Sequence, residues 1–163
     1  MSTLLITLLT AAVSLASVNT HDPGSSLRFD VSIDRSVQSA AVDGRVILIL
    51  GNDDAREPRF QARWGVKGVP VYAIDVDGLQ PGELATIDAT VFGYPFESLA
   101  DLPAGDYYVQ AVLHKYETFN LSTGHTVKLP MDRGEGQHWN RAPGNLLSTP
   151  RWITVDPKQD KPI

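Results

Sequence analysis

The chain contains no cysteine among its 163 residues. That removes a disulfide framework, a thiolate metal site and a lipid anchor on sulfur, so the fold must be held by its core even in an oxidising compartment. A basic surplus is missing too. Fourteen Lys and Arg stand against 19 Asp and Glu, for a net charge of -5 and a pI near 5.2, which argues against nucleic acid or an anionic membrane surface as the main partner. No long stretch repeats at 3.6 residues, so helices do not frame the fold. No Gly-x-Ser-x-Gly elbow occurs, and Ser98, Ser122 and Ser148 sit in loop-like contexts. A self-contained serine hydrolase on the α/β-hydrolase scaffold is therefore not expected, and no catalytic residue is assigned. What is present is an ordinary globular composition, 42% hydrophobic and 20% charged, at the length of one domain.

Residues Met1 to Val13 form an uncharged apolar run followed by the small residues of Ser14-Leu15-Ala16-Ser17. This reads as a signal peptide cleaved after Ala16, since a membrane span needs about 20 apolar residues. The expected organisation is a signal peptide over 1–16, a polar linker over 17–26, one β-domain over 27–156 and a charged, proline-containing tail over 157–163. The mature protein is expected outside the cytoplasm, secreted or periplasmic, and free of the membrane.

Strand signals fill the domain. Leu27 to Asp34 alternates apolar and polar residues, the period of a half-buried strand. Arg45 to Gly51 is a continuous apolar, β-branched run, which predicts a central strand covered on both faces. The polar, proline-containing loop 52–59 is expected at the surface. Val69 to Val76 follows, with Pro70 limited to a strand start or an edge. Glu83 to Phe92 reads as another strand, broken at Gly93-Tyr94-Pro95. Leu102-Pro103-Ala104-Gly105-Asp106 turns into a long strand over Tyr107 to His114, with Tyr107, Val109, Ala111 and Leu113 on one face. There Tyr107, with Pro103 and Gly105 shaping the turn, is placed to form a tyrosine corner. Thr126 to Leu129 and Arg151 to Val155 bring the count to about seven strands. The pattern predicts an all-β fold, an immunoglobulin-like or fibronectin-III-like sandwich.

Metal chemistry finds little footing. His114, His125 and His138 match no compact ligand spacing, and the plainer reading puts His114 on the solvent face of its strand. Asp75-Val76-Asp77-Gly78 is only a fragment of a calcium loop and reads as a strand end. Nothing calls for a cofactor. Asn120-Leu121-Ser122 is formally a glycosylation sequon.

The least ordinary segment is Asp132 to Leu146, where glycines alternate with polar and aromatic groups. Glu135, Gln137, His138, Trp139, Asn140 and Asn145 offer an aromatic platform beside hydrogen-bonding groups, a mixture that suits a sugar or a protein surface. The plainer reading is an ordered loop whose Trp139 covers the core and whose polar groups satisfy its own backbone.

Leu99-Ala100-Asp101-Leu102-Pro103-Ala104-Gly105-Asp106-Tyr107-Tyr108-Val109-Gln110-Ala111, Tyr116-Glu117, Gly124-His125-Thr126-Val127, and Gly134-Glu135-Gly136-Gln137 through Pro143-Gly144-Asn145-Leu146 together resemble the N-terminal region of large secreted bacterial proteins of the esterase type. In that family such a β-sandwich precedes an α/β-hydrolase domain. The resemblance covers most of Leu27 to Pro157, and the hydrolase domain carrying the nucleophile is not in this sequence. It implies a non-catalytic accessory domain that binds or positions a hydrolase domain, another protein or a glycan. The alternatives are a hydrolase component completed by a partner or a further domain, a small metal-dependent enzyme using His114, His125 and His138, and a structural spacer.

Overall fold

A computed structural model describes residues 27–63, 65, 67–158 and 163. The expected signal peptide and linker lie outside the described residues, as does most of the tail. The described chain is all-β: β1 (Phe29–Val31), β2 (Val42–Gly51), β3 (Val71–Leu79), β4 (Ala85–Ile87), β5 (Gly93–Tyr94), β6 (Gly105–Lys115), β7 (Glu117–Asn120), β8 (Thr126–Leu129), β9 (Leu146–Leu147) and β10 (Arg151–Val155), with short 3-10 turns between some of them. All pairings are antiparallel. A six-stranded sheet runs β10-β6-β2-β3-β5, with β9 also on β6, while β1 and β4 form a second sheet and β7 and β8 a hairpin.

The two sheets face each other across the main core, as in a β-sandwich. Phe29 of β1 and Ala85 and Ile87 of β4 meet Val46, Leu48 and Leu50 of β2, Tyr72 of β3 and Val109 and Leu113 of β6. The alternate residues of β2 point the other way: Ile47 and Ile49 join Val69 and Val112 in a second cluster. Successive side chains on a strand take opposite faces, so an unbroken apolar run is what a strand covered on both sides requires. Each such fully buried side chain contributes about 1.5–3 kcal/mol over leaving it exposed. Pro70 stands just before β3, where its lack of an N–H costs nothing, and its carbonyl accepts from the Leu50 N–H at 2.9 Å.

The tyrosine corner forms. The Tyr107 hydroxyl donates to the Pro103 carbonyl at 2.7 Å and ties the entry turn to the first residues of β6. Tyr72, fully buried, donates to the Ser98 carbonyl at 3.1 Å, and burial pushes its hydroxyl well above the ordinary tyrosine range.

Several expectations need correction. The strand expected over 83–92 is only β4, because Asp88 Oδ1 accepts from Thr90 N at 2.9 Å and from Thr90 Oγ1 at 2.6 Å, a local turn that competes with the ladder. The expected break is itself a strand, with Tyr94 opposite Val71 and Gly93 opposite Tyr72. Gly93 is required there, since a Cβ would stand 2.3 Å from the Tyr72 ring. Loop 52–59 is exposed only as far as Arg56; Glu57 turns inward and Pro58 is buried. Asp75 to Gly78 lies within β3 rather than at its end. In the expected tail, Ile163 is half-buried and bonds through its N–H to Arg28 O and its carbonyl to Asp30 N, both at 3.0 Å.

Candidate functional site

The outer face of the large sheet, opposite β1 and β4, carries the second cluster and is roofed by two loops rather than by strands. Gln110, Val112 and His114 alternate along β6 toward this face. The first roof piece is the Glu57 to Gln61 turn. Gln61, 3% exposed, donates to the carbonyls of Asp53 at 2.8 Å and Arg56 at 2.9 Å and accepts from Asn52 N at 3.2 Å. The second is the 132–148 segment. Gln110, 1% exposed, joins both: its Oε1 accepts from Arg59 N at 3.2 Å, and its Nε2 donates to Glu57 at 2.8 Å and to Ser148 O at 3.2 Å. Hydrogen bonds from Gln110 and Arg59 hold the Glu57 carboxyl below its usual range.

The six loop residues separate into two sets. Trp139 packs on Ile47, Ile49, Val69 and Val112. Asn140 exchanges bonds with Arg59: Nδ2 donates to Arg59 O at 3.1 Å, and Arg59 Nη1 returns one to Asn140 O at 2.9 Å. Asn145 donates from Nδ2 to Trp139 O at 2.6 Å and presents Oδ1 to His114 Nδ1 at 2.9 Å. These three hold the loop to the sheet. Gln137 and His138 are exposed, and Gln137 adopts a left-handed backbone with φ 63°. The half-buried Glu135 has its carboxylate turned back on Arg133 N at 2.8 Å, and the Arg133 guanidinium pairs with Glu117 of β7.

Two clefts flank this turn. One, of about 430 Å³, is walled by Trp139, Phe92, Tyr94, Val69, Val71 and Arg45. Phe92 is 72% exposed and Tyr94 40%. Arg45 is held by a bidentate pair to Asp75, both contacts at 2.8 Å, which keeps the Asp75 carboxyl below its usual range. The other, of about 360 Å³, is lined by His114, Tyr116, Glu117, Met131, Arg133 and Asn145 among others.

His114 is therefore not on a solvent face. It is 8% exposed, because the 142–145 segment folds over it, with the Tyr116 ring edge-on at 6.1 Å. Among the described residues no group of three or more His, Cys, Asp or Glu is placed to hold a metal ion, so His114, His125 and His138 are not brought together as ligands. The Ser98 hydroxyl donates to Ala89 O at 2.7 Å and accepts from Ala100 N at 3.1 Å, while Ser148 Oγ accepts from Ala111 N at 2.9 Å.

Sequence reasoning missed Phe92, Tyr94 and Arg45 as walls of a cleft. Two aromatics bracketing Gly93 were a usable signal, hidden because the segment was read as a break. Comparison of the chain with protein-family models, with curated proteins and with solved structures finds no match.

Proposed function

We propose that this chain is a non-catalytic, extracytoplasmic accessory domain of an esterase-type protein, an immunoglobulin-like sandwich that docks a hydrolase domain through the Trp139 cleft. The strand order β10-β6-β2-β3 beside a β1-β4 pair supports the immunoglobulin-like reading, as does a tyrosine corner at the start of β6. The observation that carries the docking reading is the contrast within the cleft: aromatic side chains are open while nearby polar groups are already engaged. Phe92 and Tyr94 are exposed, Arg45 is bonded to Asp75, and Asn140 and Asn145 are bonded to Arg59 and His114. A concavity walled mainly by aromatic and aliphatic side chains, with Arg45 already paired to Asp75, suits a protein surface better than a sugar, which needs free hydrogen-bond partners.

Mixing the chain with an esterase-type α/β-hydrolase domain and following association by sedimentation tests the reading. Phe92→Asp, on the exposed rim, should weaken association at least tenfold without changing the melting temperature. Trp139→Ala should weaken it too, with some loss of stability. Association unchanged by Phe92→Asp would remove the cleft from consideration.

A further inference from the structure

The 360 Å³ cleft beside β7 holds a side chain that the docking reading leaves unused. The Asn145 amide cannot be turned end for end, because its Nδ2 is committed to the Trp139 carbonyl at 2.6 Å. Its Oδ1 therefore faces His114, and an oxygen with only lone pairs requires a donor at His114 Nδ1, 2.9 Å away. This fixes the neutral ring in one tautomer, with hydrogen on Nδ1 and a lone pair on Nε2. Among the described residues Nε2 has no hydrogen-bond partner, yet no side-chain nitrogen or oxygen is both sealed from solvent and unpaired. Nε2 is thus open to the cleft that His114 lines. His114 as a whole is only 8% exposed, so a ligand meets an oriented acceptor in a largely dry setting, where a hydrogen bond counts for more.

The remaining groups narrow the ligand. Glu117 and Arg133 form an ion pair at the cleft, with side chains 43% and 53% exposed, and offer acceptors and donors side by side. The Lys115 ammonium is bonded to Gln38 at 2.9 Å. An anion would meet the Nε2 lone pair and the Glu117 carboxylate, and a cation would meet Arg133. A neutral molecule with several hydroxyls matches, because each hydroxyl both donates and accepts. We propose that this cleft is a second binding site, for a neutral polyhydroxy ligand of the monosaccharide class, with a ligand hydroxyl donating to His114 Nε2. No serine, threonine or cysteine lines the cleft, and the site is proposed for binding alone.

The test uses the isolated chain with no hydrolase present, so its failure leaves the docking proposal untouched. Long-range proton–nitrogen NMR of the histidine rings reads the tautomer directly. His114 should show the Nδ1-protonated form, and its Nε2 resonance should move on titration with at least one of glucose, galactose and N-acetylglucosamine at millimolar concentration. His114→Phe should lower the affinity for that sugar roughly tenfold, the effect of one lost hydrogen bond, with the melting curve checking the fold. Should the variant fail to fold, the tautomer and the titration of the native chain still decide. Hydrogen on Nε2, an Nε2 resonance indifferent to all three sugars, or undiminished binding by a folded His114→Phe chain would overturn the proposal.

Discussion

Replacing Gln110 with methionine removes the polar centre of the outer roof while nearly preserving its volume, so a loss of stability reports hydrogen bonds rather than a cavity. Three bonds disappear, to Arg59 N, Glu57 and Ser148 O. They do not weigh equally. Ser148 is exposed and its carbonyl turns to water. The Glu57 side chain is 41% exposed and keeps Arg59 at 2.8 Å, so it also recovers part of its loss. The Arg59 amide lies on a half-buried turn beneath the 138–141 segment and is left without its acceptor. An orphaned donor of this kind costs about 1–3 kcal/mol, and a hydrogen bond to a charged group nets about 1.5–3 kcal/mol before water replaces any of it. The sum for Gln110→Met is about 2–4 kcal/mol. Urea unfolding followed by circular dichroism measures it: the midpoint should fall with an unchanged slope. A loss below about 0.5 kcal/mol would refute the claim that Gln110 holds the roof, because no compensating cavity or clash is available to hide it.

Two further predictions concern other parts of the fold. Tyr107→Phe removes only the hydroxyl that reaches Pro103 O and should cost about 0.5–1.5 kcal/mol in the same unfolding measurement, while a neutral result would make the tyrosine corner ornamental. Asp75 and Glu57 are held below their usual ranges, Asp75 chiefly by its bond from Arg45 and Glu57 chiefly by its bond from Gln110. A depressed folded-state carboxyl contributes stability that is fully present above the unfolded values of 3.8 and 4.5 and is lost as pH falls through the lower folded values. The unfolding midpoint should therefore decline on acidification below that range, and less steeply in Arg45→Gln; an equal slope in the variant would count against the Arg45 contribution.

Legibility from sequence divided along the two faces of the large sheet. The inner face was readable because alternation and unbroken apolar runs encode it locally. Ile47 and Ile49 beside Val46, Leu48 and Leu50 announce a strand covered twice, and Tyr107, Val109 and Leu113 announce one face of β6. The cover on the outer side was readable in outline, as a strand covered on both faces with Trp139 lying over the core, but its polar fastening was not. Gln110 and His114 occupy the polar positions of an alternating strand, which local pattern assigns to solvent, yet their partners lie far along the chain: Arg59 is 51 residues from Gln110 and Asn145 is 31 from His114. No local period carries that information. The strands β5 and β9, two residues each, fall below the length at which periodicity has meaning. Of the six loop residues singled out, Trp139, Asn140 and Asn145 prove to be inward anchors, a distinction that composition alone cannot make.

The two kinds of cover have different physical consequences. Apolar contact between the sheets is non-directional and tolerates small shifts, whereas the roof is positioned by directional bonds at Gln61, Gln110, Asn140 and Asn145, each of which fails when its geometry is lost. A shape-preserving change in the roof should therefore move the Trp139 turn, and with it both clefts, while the core between the sheets stays intact. For this domain, a change in the roof is expected to lower stability and disturb binding while leaving the sandwich folded. In Asn140→Leu the side-chain hydrogen bond to Arg59 O is lost, leaving only the Arg59 Nη1 bond to the backbone carbonyl of residue 140, and Phe29, Leu48, Tyr72 and Ile87 are untouched, so the loop can shift without unfolding the sandwich. Both clefts lie along one turn because Asn145 bonds to the Trp139 carbonyl on one side and to His114 on the other, so a single side chain sets the aromatic wall of one cleft and the tautomer exposed in the other.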